Sequence, residues 1–197
     1  PRKIVNTPPM DTSLRYEVGD SDVACRTYFD FSKEKGWLCA IEQCNGSGDC
    51  RKSYAFGGTM CPSFRATREE SHTTRARANL LRELLTHPKT EKIYDQPEIL
   101  EALETCVSCK ACKSECPSNV AIARFKAEFL QQHYDVCGVP MKAFLIARLT
   151  EIQRLGTILP WFYNAIVRNR MTGNMLKRVL HFAPKRTIPT LYKTTLK

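Results

Sequence analysis

The chain of 197 residues carries 30 Lys and Arg against 20 Asp and Glu, a net charge of +10, with ten cysteines and an ordinary hydrophobic content of 43%. That length holds one sizeable domain plus extensions, and the longest uncharged apolar stretch, Leu155–Val167, falls short of the roughly 20 residues of a membrane span. With no recognisable secretory signal, ten cysteines argue against a disulfide framework and for metal-bound thiolates in a reducing cytoplasm.

Residues 1–24 are polar, lack apolar periodicity and read as an extended lead-in. Pro1–Pro9 and Pro184–Lys197 have linker composition, and the expectation is a piece of a longer polypeptide, with 184–197 leading to a further domain. Thr27–Phe31 and Trp37–Ile41 are short apolar runs that read as irregular strands or turns. A loop over Cys44–Cys61 follows, with Gly46, Gly48, Gly57 and Gly58, which let a backbone approach a cofactor closely.

After Cys61-Pro62 the pattern turns helical. Ala76, Leu80, Leu81, Leu84 and Leu85 recur at helical spacing, and Pro88 ends that helix. Asp95-Gln96-Pro97-Glu98 predicts a helix start capped by Asp95, with Ile99, Leu100 and Leu103 on its apolar side. Ser118 is expected to cap a helix over 119–134, Pro140 to open one that Gly156 stops, and a last helix to cover 172–182. Strand signals are weak. The predicted fold class is mainly α, a bundle around two loops that each close in Cys-Pro, with extended termini. The expected organisation is a cluster-binding domain over 25–156, a helical extension over 157–183 and the terminal linkers.

Cys106, Cys109, Cys112 and Cys116 with Pro117 make the spacing C-x2-C-x2-C-x3-C-P, the bacterial iron–sulfur run. Two-residue gaps let one tight loop aim three sulfurs into a common concavity, and in two-cluster proteins the fourth cysteine serves the other cluster. A structural zinc site takes its cysteines from two separated segments instead. The run therefore predicts a 4Fe–4S cluster.

The first loop aligns with the same motif if Ser47 takes the place of the second cysteine: Cys44, Ser47, Cys50 and, after ten residues, Cys61-Pro62. Three outcomes are open. Cys106, Cys109 and Cys112 with Cys61 hold one cluster while Cys44, Cys50 and Cys116 hold a second; a single cluster forms and the first loop only packs; or the first loop supplies Cys61 alone. Cys25, Cys39 and Cys137 lie outside both patterns and read as small buried hydrophobes. His72, His87, His133 and His181 are scattered and read as ordinary side chains. Arg65, Arg68, Arg75 and Arg77 are either a solvated helix face or donors toward cluster sulfur.

Cys44-Asn45-Gly46-Ser47-Gly48-Asp49-Cys50-Arg51-Lys52, Gly58-Thr59-Met60-Cys61-Pro62-Ser63, the Ala66–Glu70 and Thr74–Ala78 segments and the Cys106–Ser118 run together resemble the iron–sulfur segment of bacterial FAD-linked oxidases. These are the fusion proteins of the D-lactate, glycolate and D-2-hydroxyglutarate dehydrogenase kind. The resemblance extends over about residues 8–197. It implies a helical-ferredoxin architecture, a FAD-binding domain in the same polypeptide but outside this chain, and a following cysteine-rich domain or separate electron acceptor. It further implies that the C-x5-C spacing of the first loop belongs to the group.

The expected function is an electron-transfer module between a FAD-bound 2-hydroxyacid oxidation site and an acceptor, with no catalytic residue of its own. Two clusters at roughly −2 each would lower the net charge to about +6, and the remaining basicity suits an acidic partner or an anionic membrane surface. The expected location is the cytoplasm, with association at the inner membrane face. Rival readings are a basic iron–sulfur protein that binds nucleic acid and a structural zinc module. No nucleic-acid reader motif or aromatic stacking platform is legible, so no nucleic-acid partner is expected.

Overall fold

A computed structural model describes residues 7–12, 14, 26–88, 90, 92–180 and 182–192. Most of the lead-in expected over 1–24, together with Cys25 and His181, lies outside the described residues. The chain is mainly α, 58% helical, with ten α-helices and no strand among the described residues. It divides into two compact units, Pro1–Val136 and Cys137–Lys197.

The first unit is built on α1 (Trp37–Glu42), α2 (Pro62–Thr67), α3 (Thr74–Thr86), α4 (Pro97–Glu104), α5 (Ala111–Glu115) and α6 (Ile122–Cys137), the last running just across the boundary. The Trp37–Ile41 run, expected as strand or turn, is helical. It buries Trp37, Leu38, Ala40 and Ile41 against α3. A run this short carries no period that separates helix from strand, and packing decides it.

Helix α3 presents Ala78, Leu81, Leu84 and Leu85 to the core. Thr73 caps it, its hydroxyl accepting from the Ala76 N–H at 3.0 Å. Pro97 opens α4, but the capping position falls on Gln96 without a side-chain bond, correcting the expectation for Asp95. Helix α6 starts three residues later than predicted because Asn119 adopts φ +52°, left-handed backbone that a helix cannot include, while Val120 turns wholly into the core.

An aromatic chain links these elements. Phe31 stacks on Trp37 at 6.2 Å between centroids, Trp37 on Tyr94 at 6.4 Å, and Tyr94 meets Phe129 edge-on at 6.1 Å. The fully buried Glu128 of α6 accepts from the Tyr28 N–H at 3.0 Å and the Phe29 N–H at 2.9 Å, and from Gln132 Nε2 at 3.0 Å. These charge-assisted bonds satisfy a carboxylate that burial alone would expel, and they hold the 28–29 segment on the unit.

The second unit contains α7 (Met141–Ala147), α8 (Leu149–Gly156), α9 (Pro160–Arg168) and α10 (Arg170–Val179). The single helix expected from Pro140 to Gly156 is broken at Arg148, which has φ −97° and ψ 13°. Helix α10 begins at Arg170, two residues before the predicted start, because Asn169 caps it by accepting from the Met171 N–H at 2.9 Å. No described helix is long and apolar enough to cross a membrane.

Glu128→Ala removes the shared acceptor of the part-buried Tyr28 and Phe29 N–H bonds and leaves a void at a fully buried position. The expected cost is about 1–3 kcal/mol of stability, read as a lowered Tm, with smaller loss for Glu128→Gln, which keeps an acceptor oxygen.

Candidate metal centre

Three cysteines of the 106–112 run meet Cys61 around one small cavity, also lined by Pro62, Ser108, Lys110, Arg77 and Ile122. Left-handed backbone at Ser108 (φ +53°) and Lys110 (φ +63°) brackets Cys109 and curls the loop. Such turns point successive N–H groups into a concavity that suits an anion. Cys61 and Cys112 are buried, Cys106 is half-buried and Cys109 is exposed. The loop is fastened from outside: Lys126 Nζ donates to the Cys106 carbonyl at 2.8 Å and Ser63 Oγ to the Thr105 carbonyl at 2.5 Å.

Burial pushes the Cys112 thiol up, and the backbone N–H groups of Ile122 and Ala123 pull it back down. Those are the first residues of α6, so the helix aims its positive end at this sulfur. The Cys50 thiol stands in a parallel setting. Burial pushes it up, the Arg75 N–H in the first turn of α3 pulls it down, and Cys61, Cys44 and Glu70 add negative charge nearby. Cys44, Cys50 and Cys116 are all buried members of the same core. Ser47 is exposed, its N–H donating to Asn45 Oδ1 at 3.0 Å and its side chain hydrogen-bonded to Asp49.

The four arginines of the first loop's flank divide by role. Arg77 is buried at 2% exposure, with Nη1 at 3.8 Å from Cys61 Sγ, Nε donating to the Ala102 carbonyl and Nη2 to Thr105 Oγ1. Cys61 Sγ itself stands 3.0 Å from the His72 carbonyl, and a thiolate formed there on metal binding would meet the Arg77 cation. Arg65 donates to the carbonyls of Gly58 at 2.6 Å and Gly57 at 2.7 Å. Arg75 pairs with Glu70, and Arg68 lies over Tyr54 and Phe64.

The segment leading to Cys61 is gripped from its other side by Glu115, the residue before Cys116. Its carboxylate accepts from the N–H groups of Thr59 at 2.8 Å and Met60 at 3.0 Å and from Thr59 Oγ1 at 2.7 Å, bonds that hold it below the ordinary carboxylate range. Gly58 has φ +70°, and a Cβ there would stand 2.5 Å from Glu115 Oε2. Composition and spacing revealed neither this clamp nor the depth of Arg77, because both depend on which turns of different segments meet.

The donor set fits an iron–sulfur cluster. Four soft thiols surround a single cavity. Among the described residues, no three cysteine thiols lie within 4.8 Å of one another. Four thiolates on one zinc, with Zn–S of about 2.3 Å in tetrahedral geometry, would stand about 3.8 Å apart, whereas an inorganic core of several atoms separates its ligands more widely. Cys39 and Cys137 are exposed, correcting their reading as buried hydrophobes.

Gly58→Ala forces a side chain into left-handed backbone and against Glu115. The expected loss is about 1–2 kcal/mol, with less iron retained per chain after gel filtration.

Residues 43–121, from Gln43 to Ala121, match the family model described as a 4Fe-4S dicluster domain. The chain is 27% identical over 201 residues to a D-2-hydroxyglutarate dehydrogenase of Pseudomonas putida, an alignment covering 86% of the chain and 19% of that protein. Proteins of the same description from Pantoea ananatis and Escherichia coli K12 are 26% and 23% identical over 82% and 79% of the chain. The chain thus spans 19% of the length of these relatives. The likeness drawn from the two cysteine loops is borne out. No solved structure matches the chain significantly.

Proposed function

We propose, from the dicluster-domain match over residues 43–121, that the chain is the iron–sulfur electron-transfer module of a larger FAD-linked 2-hydroxyacid dehydrogenase. The observation that carries this reading is the convergence of Cys61, Cys106, Cys109 and Cys112 on one cavity beside the buried Arg77. Cys44, Cys50 and Cys116 are assigned to a second cluster, supported by their common burial and by the helix terminus at Cys50.

A bound 4Fe–4S cluster accepts and releases single electrons with little rearrangement, which suits relay from a two-electron flavin. The protein's own residues prepare for that. The N-termini of α3 and α6 stabilise thiolate at Cys50 and Cys112. Arg77 offsets negative charge at Cys61. Glu115 and Arg65 hold the chain between them so that Cys61 arrives in register. Nothing in these roles removes hydrogen from a substrate, and the oxidation of the hydroxy acid belongs to a FAD-binding domain of the same polypeptide. The acceptor is a following cysteine-rich domain or a separate carrier such as a quinone or cytochrome. The assembly is placed in the cytoplasm, at the inner membrane face.

Anaerobically reconstituted protein is expected to be brown, with iron and acid-labile sulfide in equal amounts and an EPR signal on reduction. Colourless protein that retains zinc, or metal-free protein shifting DNA in a salt-dependent manner, would overturn the reading. Cys116→Ala should lower iron from about eight to about four per chain while leaving one EPR-active centre. Loss of all iron would instead assign Cys116 to the first cluster.

Arg77→Met removes a cation whose field favours the reduced cluster. The midpoint potential should fall by about 60 mV, a tenfold change for a one-electron couple, in a dye-mediated redox titration. Arg77→Lys should restore part of that shift.

A further inference from the structure

The net charge of the chain is not spread along it. Pro1–Val136 carries 19 Lys and Arg against 19 Asp and Glu, so it is formally neutral. Cys137–Lys197 carries 11 Lys and Arg and one acid, Glu151, and therefore accounts for the whole net charge of +10. Among the described residues of this unit there is no internal ion pair, and only Pro160 and Gly173 are buried. A unit of this size that leaves its apolar side chains outside has no core to hold it in water alone.

Those side chains are arranged. In α10, Met171, Met175 and Val179 recur four residues apart and are 84%, 69% and 56% exposed. Gly173 of the same helix is buried, and α10 packs on α9. Trp161 is 69% exposed in the first turn of α9, and Leu155 and Ile158, at the end of α8 and just beyond it, are 68% and 73% exposed. Exposed cations stand among them: Arg154, Arg168, Arg170 and Arg178.

We propose that Cys137–Lys197 is a membrane-surface module that lays its exposed apolar side chains into the interface of an anionic phospholipid layer while its cations meet the headgroups. Short helices with aliphatic, Met and Trp side chains beside Arg and Lys have the composition of interfacial elements. Long cationic side chains reach the phosphate level while their stems stay among acyl chains. Charge complementarity selects the occupant: a field of eleven positive charges with one acid is attracted by a continuous anionic surface and needs no matching set of fixed carboxylates. The proposal names the surface behind the membrane placement given above and rests on that placement, not on the metal centre.

The test uses the full chain loaded with metal, mixed with vesicles of phosphatidylglycerol and phosphatidylcholine or of phosphatidylcholine alone. The chain has two tryptophans, the buried Trp37 and the exposed Trp161, so a blue shift of emission reports Trp161 leaving water. The expected result is co-sedimentation and a blue shift with the anionic vesicles only, both reversed by salt. Each neutralisation among Arg168→Gln, Arg170→Gln, Lys177→Gln and Arg178→Gln should weaken binding about fivefold, with iron content unchanged. Trp161→Phe should abolish the emission shift while sedimentation persists, which covers the case of a multiple variant that fails to fold. Absence of sedimentation with anionic vesicles at low salt would overturn the proposal. So would preferential capture by double-stranded DNA in competition, or self-association that already hides Trp161 without lipid. Iron and sulfide are measured on the same sample, so a failure of lipid binding and a failure of the metal assignment are told apart.

Discussion

Burial favours the neutral thiol, whereas a cysteine that takes up iron must be a thiolate, and the surroundings of Cys50 and Cys112 ease that conflict. Both sulfurs are withdrawn from water and both are pushed up by it. Each is met by backbone N–H groups at the beginning of a long helix, α3 for Cys50 and α6 for Cys112. The positive ends of these helices supply what solvent no longer does. Arg77, buried with Nη1 3.8 Å from Cys61 Sγ, would do the same for a Cys61 thiolate with a full charge. These arrangements suit the negative charge that metal-bound thiolates would bring, although the unit's own formal charge is zero.

The same unit fixes its loops with very few contacts. The Gly57–Met60 segment has no regular structure of its own and is set by Arg65 on one side and Glu115 on the other. Because Glu115 directly precedes Cys116, one carboxylate ties the cysteine that closes the second motif to the approach of the cysteine that closes the first. Two motifs distant in sequence thus share a single geometric constraint.

Much of this was legible in advance, for definable reasons. The spacing of Cys106–Cys116 is the one cluster chemistry asks for whatever the fold, and the family match over residues 43–121 agrees with it. Helix α3 has a regular apolar face between Ala76 and Leu85 and a proline just beyond its end, so both its existence and its end were readable. Helix α1 was misread because a five-residue apolar run has no measurable period. The start of α6 was misplaced because the left-handed turn at Asn119 is imposed by the need to drive Val120 inward, a tertiary demand. Arg65 and Arg77, both buried, could not be distinguished from Arg68 and Arg75 by spacing, since tertiary packing, for Arg77 that of α3 on α4, decides which are enclosed. The concentration of charge in the second unit was present in the sequence all along, but it acquires meaning only when that unit is seen to lack a buried interior.

Of the four cysteines around the cavity, Cys109 is the exposed one, Cys106 being half-buried and Cys61 and Cys112 buried. Electron transfer weakens steeply with distance, so the open edge is where a docking protein or diffusible carrier can come nearest. Dioxygen and peroxide would reach a cluster held there by the same door. Vulnerability to air would then be the counterpart of rapid exchange, and shielding that edge would protect such a cluster only by slowing its traffic.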